Sequence, residues 1–489
     1  MSTRTAPSVI LASILAGFIL GVLLFSYFSF EVALGLSFVV VCASVVLIVH
    51  PLPQGGVWGG SDRSVPKVKT SPPLLTKEGP GVVIVLFAVS LVFGAFRLSL
   101  AVPSNNSVAN NIGGVRSVVG VVMKQETGEG SQKITLGDLV VDGDRRDDSV
   151  LVFTNKYPKA ELGDRVAVEC ELEKPEPFDG FAYDRFLAAK HIYATCYSRR
   201  TPFVMEKGAR KDIVILIRKV HEDAVALVTR YFGEPHAQLF SGLMLGDDNF
   251  SDAWKEKFRR TGTSHVVAAS GYNIALVSSL ALAFLIYAGL RRQYAFPFVI
   301  LAIAGFVILA GGEAAVTRAG IMGAVALTAT QLGRKSSARN ALLLVAAIML
   351  LIEPRILRDD AGFQLSVLST AGLIFISKPI AEKLGFIPEM FGLRESLSST
   401  LAATLFTLPV IIFGFGRISI VGPITNLLVL PFLPYAMAAG TAGIALTFFA
   451  NVFFTSLPSV LLVPGWFFLE VILRIIDAMA ALPFAVISL

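Results

Sequence analysis

Three long apolar runs open the chain, at residues 9–30, 32–49 and 82–101. Each is long enough to cross the hydrocarbon core of a bilayer, because about 20 helical residues span that core. The pattern therefore predicts two transmembrane helices within residues 1–50 and a third at residues 82–103.

A different pattern follows in residues 104–204, where short segments alternate apolar and polar positions between clusters of Gly, Asp and Asn. Alternation with a period of two predicts antiparallel strands. Five such strands, with a short helix at residues 183–190 between the last two, favour a small all-β, OB-like barrel over an immunoglobulin sandwich. The predicted strands lie at residues 115–123, 133–141, 150–154, 165–172 and 192–197.

Residues 205–262 are predicted to form amphipathic or interfacial helices. The segment from Asp212 to Phe232 repeats apolar residues at helical spacing with charged residues opposite, which favours a helix on the membrane surface or on a partner helix. Residues 263–489 return to long apolar runs, and the last run is expected to reach the C-terminus. The predicted spans begin near Val266, Tyr294, Val316, Ala341, Gly362, Leu397, Ile418 and Val460.

The composition also indicates that the long apolar runs lie in a membrane. Apolar residues make up 54% of the chain and charged residues only 16%, which excludes an ordinary soluble enzyme. We predict a polytopic α-helical membrane protein of about 10–11 spans with an inserted OB-like barrel. The net charge of +6 is mild and names no partner.

The distribution of Lys and Arg predicts an orientation. Basic residues fall on every second loop, at residues 291–292, 334–339 and 378–394, so these loops are expected in the cytoplasm. Counting back places residues 51–81, a Pro- and Gly-rich stretch predicted to be disordered, in the cytoplasm and the barrel outside. The predicted location is the bacterial inner membrane.

Two of the three cysteines, Cys170 and Cys196, lie in predicted strands of the exported barrel. An oxidising compartment permits a disulfide between them. Two unpaired buried thiols remain the alternative, because sequence spacing does not show the distance between their Cα atoms.

Motifs for metal and nucleotide chemistry are missing from the sequence. The five histidines are scattered, and neither a metal-ligand motif nor a phosphate-binding P-loop occurs. We therefore expect no metal site and no cofactor, and energy for any transport must come from elsewhere.

The densest polar group in the apolar region surrounds His265, Ser270 and Gly271. A regular helix would point His265 and Ser270 about 140° apart, so a Ser and His hydrolase requires a broken helix. Packing through small residues is the alternative to a functional role.

Further polar positions lie in the following predicted spans. Arg318 either is neutralised by Glu313 or faces a watery path for an anion. Gln364 and Ser366 either hydrogen-bond between helices or line the same path. Asn426 lies in a proline-interrupted stretch, which is typical both of discontinuous transport helices and of ordinary kinks.

Several ordered motifs resemble the ComEC family. They cover residues 240–248 (FSGLMLGDD) and 258–271 (FRRTGTSHVVAASG), then RAGIM from Arg318, GFQLS at residues 362–366, and FGRIS with Arg417 followed by Asn426. The segment at residues 178–190 resembles the one that marks the exported OB-like domain of that family. Tyr272 and Asn273 depart from the usual residues, which puts a direct role for position 273 in doubt.

The resemblance implies an inner-membrane channel that passes single-stranded DNA into the cytoplasm during natural transformation. Several family members also carry a metallo-β-lactamase-like domain; this chain is expected to lack it and to catalyse no reaction itself. Expected partners are single-stranded DNA, membrane lipid, a separate nuclease, a DNA-receptor protein and a cytoplasmic motor. Homo-oligomerisation and DNA contact by the barrel stay open, as do two alternatives, a secondary transporter of a small anion or lipid and an intramembrane serine hydrolase. The pore candidates are His265, Ser270, Gly271, Arg318, Gln364, Ser366, Arg417 and Asn426.

Overall fold

The computed structural model divides into two compact units, each of which is described here by itself. The smaller falls within Met1–Val102 and Arg339–Arg358, and the larger within Pro103–Ala338 and Asp359–Leu489. The described residues are 7–27, 80–99, 101, 106–127, 131–177, 182–198, 201–247, 249–267, 271–311, 314–331, 338–387, 393–453 and 458–488.

The described helices follow the apolar runs. They are, in chain order, α1 (Pro7–Tyr27), α2 (Pro80–Ser99), α3 (Tyr183–Ala188), α4 (Ile213–Phe232), α5 (His236–Leu245), α6 (Asp252–Arg260), α7 (Ser264–Val267), α8 (Gly271–Tyr287), α9 (Arg292–Leu309), α10 (Ala314–Gln331), α11 (Ala338–Ile352), α12 (Ile356–Asp359), α13 (Ala361–Phe375), α14 (Ser377–Lys383), α15 (Leu393–Phe415), α16 (Gly422–Val429), α17 (Leu433–Phe453) and α18 (Pro458–Ala480), with 3-10 turns at Val108–Asn111 and Leu430–Phe432.

In the smaller unit, α1 and α2 pack through small residues. A Cβ added at Gly21 would collide with the backbone carbonyl of Leu91, so only glycine permits this close approach. Arg97 of α2 donates hydrogen bonds to the last carbonyls of α11, Leu351 O at 2.8 Å and Ile352 O at 2.7 Å. The guanidinium thereby satisfies backbone groups that a helix end leaves open.

Short strands in the larger unit close into a barrel. The order is β1-β2-β4-β6-β5, and β5 pairs back to β1; β4 and β6 run parallel and the other pairs are antiparallel. A closed five-stranded barrel of this kind is consistent with the OB-like domain expected from the alternation. The strands are β1 (Val115–Thr127), β2 (Ser131–Val141), β3 (Asp144–Arg146), β4 (Ser149–Asn155), β5 (Arg165–Glu173), β6 (Ile192–Tyr197) and β7 (Phe203–Glu206).

The barrel core combines apolar side chains with one satisfied polar group. Inward positions of β5 are buried and the intervening charged residues are exposed, as alternation requires. Gln132 is fully buried, and its Nε2 donates to Asn155 O at 2.8 Å and Pro158 O at 2.9 Å. Cys170 and Cys196, both in this core, form a disulfide with a Cα–Cα distance of 5.7 Å. The structure therefore pairs the two cysteines that the sequence left open.

Helix α4 is firmly attached to the barrel. Asp212 caps it by accepting a hydrogen bond from Ile215 N at 3.1 Å, and Ile215 is buried in the barrel core. Arg218 donates to Met123 O of β1. The far end of α4, including Phe232, packs into the core of the helical domain. Both ends of this amphipathic helix therefore contact protein, while Ile213, Leu216 and Val220 remain exposed, so its expected position on the membrane surface or on a partner helix stays a prediction.

Fewer helices than expected meet the length of a membrane span. Three described helical segments are long and apolar enough by composition, and the pair α13 and α14, bent by 51°, makes a fourth if it counts as one span. Further apolar helices are shorter, with 10–17 described residues. The three segments are Arg292–Leu309, Arg394–Phe415 and Gly422–Thr447.

The end of the chain corrects the predicted last span. Helix α18 stops at Ala480, and the following residues form β9 (Val486–Ser488), antiparallel to β8 (Arg417–Ser419). Pro483 explains the stop, because proline lacks the N–H that a continuing helix needs. Ile418, where a span was expected to begin, therefore lies in a strand, and α16 starts four residues later.

Candidate functional site

The first and last family-like motifs meet in the fold. Ser419 Oγ donates to Arg260 O at 2.7 Å. Gly262 adopts a positive φ of 65°, and a Cβ there would lie 3.1 Å from Ser419 Cβ and 3.3 Å from Gly422 Cα. This turn therefore needs glycine both for its backbone conformation and for the close approach. Arg260 also donates to Leu482 O at 3.1 Å, which attaches the turn to the end of the chain.

His265 follows this turn in α7 and is exposed. The next residue, Val266, is buried in the helical core. Asn273, in α8, is 1% exposed, and its Nδ2 donates to Leu243 O at 2.7 Å. This bond joins α8 to α5, which gives Asn273 a structural role in the site.

The best defined polar group in the helical domain is Arg318. It is 3% exposed, its Nη2 donates to Gly362 O at 2.7 Å, and its guanidinium carbon lies 5.4 Å from the centroid of the Phe363 ring. Its Nε and Nη1 are buried without a hydrogen-bond partner among the described residues. Buried polar groups normally find partners, so an arginine with two open N–H positions is a strong candidate for binding an anion or ordered water.

A carboxylate stands near this arginine. Asp360 caps α13 by accepting a hydrogen bond from Phe363 N at 3.1 Å, and its charge acts electrostatically on Arg318. The carboxylate compensates part of the buried positive charge, which lowers the cost of keeping a guanidinium in apolar surroundings. Glu313, the other proposed counter-ion, lies outside the described residues.

Gly271 brings a third motif to the same place. A Cβ added there would lie 3.6 Å from Ala319 Cβ, directly beside Arg318 in the chain. The starts of α8 and α13 thus approach one side of α10. Gln364 and Ser366 are half-buried on α13, two and four residues beyond Gly362. Residues of three motifs that lie far apart in sequence therefore meet at Arg318 and its chain neighbour Ala319.

For two further pore candidates, the contacts among the described residues do not involve Arg318. Arg417 is exposed on β8 and forms an ion pair with Glu256 at 3.7 Å. Asn426 is buried in α16, and its Oδ1 has no hydrogen-bond partner among the described residues. Ser270 lies outside the described residues, so the expected alternatives for it stay predictions.

The barrel carries a groove that the sequence pattern did not indicate. It has a volume of about 520 Å³, and the rings of Phe153 and Tyr197 stack beside it with centroids 4.8 Å apart and planes at 6°. The two residues face each other in the parallel register of β4 and β6. Burial raises the pKa of Tyr183 at the groove, with a smaller contribution from Tyr197. The sequence signal that could have indicated this groove is an aromatic residue near the end of each of two predicted strands, Phe153 and Tyr197. The lining residues are Lys133, Phe153, Glu173, Lys174, Pro175, Glu176, Pro177, Tyr183, Thr195 and Tyr197.

Within the described part of the chain, no group of three His, Cys, Asp or Glu side chains is arranged to hold a metal ion. The fold and the site together define a β-barrel protein with an apolar helical domain that encloses a buried arginine.

Comparison with known proteins assigns the family. The family model described as Competence protein matches residues 243–489, half of the chain, and the chain belongs to this family, as the ComEC-like motifs indicated. It is similar to ComE operon protein 3 of Bacillus subtilis (strain 168), with 25% identity over 268 residues. That match covers 54% of this chain and 33% of the relative, so the comparison spans a third of the relative's length. No solved structure matches the chain. Proteins of the competence family are membrane proteins, and the three long apolar helical segments agree with this.

Proposed function

We propose that this protein is an inner-membrane channel for single-stranded DNA, acting in DNA uptake during natural transformation. Family membership supports a role in uptake. The observation that carries the channel proposal is the buried Arg318, which has two open N–H positions where three family motifs meet.

Arginine suits a path for nucleic acid because its planar guanidinium binds phosphate oxygens with two parallel hydrogen bonds. One nitrogen of Arg318 is held by Gly362 O, which fixes the orientation of the side chain. The ring of Phe363 covers one face of the guanidinium. The two remaining nitrogens are available to a phosphate that passes along the helices, and such a contact is weak enough to break if water or the next phosphate replaces it.

In this proposal the protein crosses the membrane several times, and the barrel lies outside the cytoplasm. The disulfide between Cys170 and Cys196 supports that orientation, because disulfides persist in oxidising compartments. The basic loops at residues 291–292 and 378–394 would then face the cytoplasm. The chain itself catalyses no reaction; a separate nuclease, a receptor for DNA and a cytoplasmic motor complete the machinery.

Transport of a fluorescent single strand into proteoliposomes tests the proposal. Arg318→Ala should abolish uptake, and Arg318→Lys should retain part of it, because lysine keeps the charge without the two-pronged geometry. Arg259→Ala is the matched control, since Arg259 is an exposed arginine of the same domain. Normal uptake by Arg318→Ala, at equal protein levels, would remove this residue from the path; no uptake by the wild-type protein with a motor present would refute the channel.

A secondary transporter is the second candidate, and the interrupted helices favour it. Helices α13 and α14 meet at 51°, and a 3-10 turn separates α16 from α17. Discontinuous helices of this kind commonly surround transport sites. Ion-coupled uptake of a small anion or lipid into vesicles in the absence of DNA would establish this alternative.

A further inference from the structure

The barrel groove has the features of a site for single-stranded nucleic acid. We propose that it stacks bases of the incoming strand and passes the strand toward Arg318. This inference rests on the proposed function for the identity of the strand, although the groove itself is defined by the barrel alone.

Stacking is provided by the pair of Phe153 and Tyr197. Their rings are nearly parallel, and Tyr197 is 56% exposed, so a base can reach its side chain from solvent. Tyr183 stands across the groove and stacks loosely on Phe186, with ring centroids 6.3 Å apart. A flat base between these rings would bury aromatic surface on both sides. Every base has such a face, so the site would accept different sequences.

The charges around the groove favour a single strand with unpaired bases over duplex DNA. Lys174 supplies positive charge for backbone phosphates, and Lys133, which is ion-paired with Glu126 at 3.2 Å, contributes less. Glu173 and Glu176 line the same groove and would repel a continuous double row of phosphates. Carboxylates accept hydrogen bonds from the N–H groups of unpaired bases, including the imide N–H of thymine, so a single strand with its bases turned inward satisfies both kinds of side chain.

A second cavity adjoins the groove. It has a volume of about 160 Å³ and shares Lys174 and Pro175 with the groove. At its other side it is lined by Asp359, which immediately precedes the Asp360 that caps α13 beside Arg318. Asp184 and Arg185 of α3 also line it, so its lining carries both signs of charge. In the proposal the strand leaves the groove along this second cavity, whose lining includes a residue two positions before Ala361, the first residue of α13.

Binding of a fluorescein-labelled oligothymidine to the full-length protein in nanodiscs tests the inference by fluorescence anisotropy. Tyr197→Ala should raise the Kd at least about fivefold, the lower end of what one lost base stack is worth. Tyr197→Phe should bind like the wild type, because it keeps the ring. Tyr157→Ala is the matched control, since Tyr157 is an exposed tyrosine of the same barrel that does not line the groove.

A second measurement locates the strand directly. An oligonucleotide that carries 5-iodouracil should crosslink on irradiation to peptides with Phe153, Tyr183 or Tyr197. Crosslinks elsewhere on the barrel, an equal Kd for Tyr197→Ala and Tyr157→Ala, or equally tight binding of a duplex of the same length would overturn the groove assignment. The absence of oligothymidine binding by the wild-type protein at low salt would overturn it too.

The outcomes separate this inference from the channel. If Tyr197→Ala loses binding while the wild type transports no DNA, the groove assignment is supported and the channel proposal is wrong. If Arg318→Ala blocks transport while Tyr197→Ala binds normally, the channel stands and the groove assignment is wrong.

Discussion

Removal of the barrel disulfide should destabilise the barrel strongly. The bond joins Cys170 and Cys196, which are separated by 26 residues. In the chain-entropy description, a cross-link that closes a loop of this length favours the folded state by about 3.5 kcal/mol, because it restricts the unfolded chain. In the double variant Cys170→Ala/Cys196→Ala, the equilibrium constant for unfolding of the barrel should therefore be a few hundredfold larger, at about 1.4 kcal/mol per tenfold. Both side chains are buried, so the two substitutions also remove packing atoms and add to the loss.

Limited proteolysis of the full-length protein in urea measures this effect. With a slope of about 1–3 kcal/mol per molar urea for a small domain, cleavage within the barrel should begin about 1–3.5 M earlier in the double variant. Cys42→Ala is the matched control, because it removes the remaining cysteine of the chain and leaves the bond intact. Identical urea profiles for the double variant and the wild type would refute the entropic reasoning.

The same bond tests the orientation of the barrel. A maleimide reagent added to denatured, unreduced protein from intact cells should label only Cys42, because an exported barrel keeps Cys170 and Cys196 oxidised. Labelling of all three cysteines would place the barrel in a reducing compartment and contradict the proposed topology.

Two further predictions concern the barrel and its attachment to α4. Gln132→Leu leaves the carbonyls of Asn155 and Pro158 without their donor in a dry core, so the free energy of unfolding should fall by about 1–3 kcal/mol, measured by the same proteolysis; an unchanged value would contradict the burial argument. The hydrogen bond that Asp212 accepts from Ile215 N is the main reason why the pKa of Asp212 lies below its ordinary value, and the ion pair with Arg210 lowers this pKa further. The stability that Asp212 contributes is therefore present at neutral pH and lost as the pH falls through that lowered pKa, so acid proteolysis should show a weaker pH dependence for Asp212→Asn than for the wild type.

Local pattern was sufficient to predict the barrel strands and most helix positions. Alternation along β5, with Val166, Val168 and Leu172 inward and charged residues outward, is a property of neighbouring residues and is visible in sequence. The pairing of β1 with β5, which closes the barrel, depends on residues about fifty positions apart and left no local trace. The groove escaped notice for a related reason, because Phe153 and Tyr197 become neighbours only through the parallel pairing of β4 and β6.

Hydropathy located the helices of the second half, and the prolines around Asn426 indicated one interrupted stretch, where the 3-10 turn at Leu430–Phe432 separates two helices. The bend between α13 and α14 and the return of the chain as β9 were not predicted, because both depend on contacts between distant residues. The sequence singled out Arg318 as a charge in an apolar run. Its hydrogen bond to Gly362 depends on the packing of α10 against α13, and the two residues lie 44 positions apart in the chain.

The unpaired nitrogens of Arg318 help to decide whether this residue lies in a packed helix interface or along a path through the membrane. A purely structural arginine in lipid-like surroundings would be expected to satisfy all of its donors with protein groups, because an open buried N–H costs about 1–3 kcal/mol. Arg318 instead uses one nitrogen on Gly362 O and leaves Nε and Nη1 open among the described residues. The Oδ1 of Asn426 is open as well, on another helix of the same domain. Such costs persist where water or a ligand supplies the missing partners, which is what the proposed channel would provide along its path.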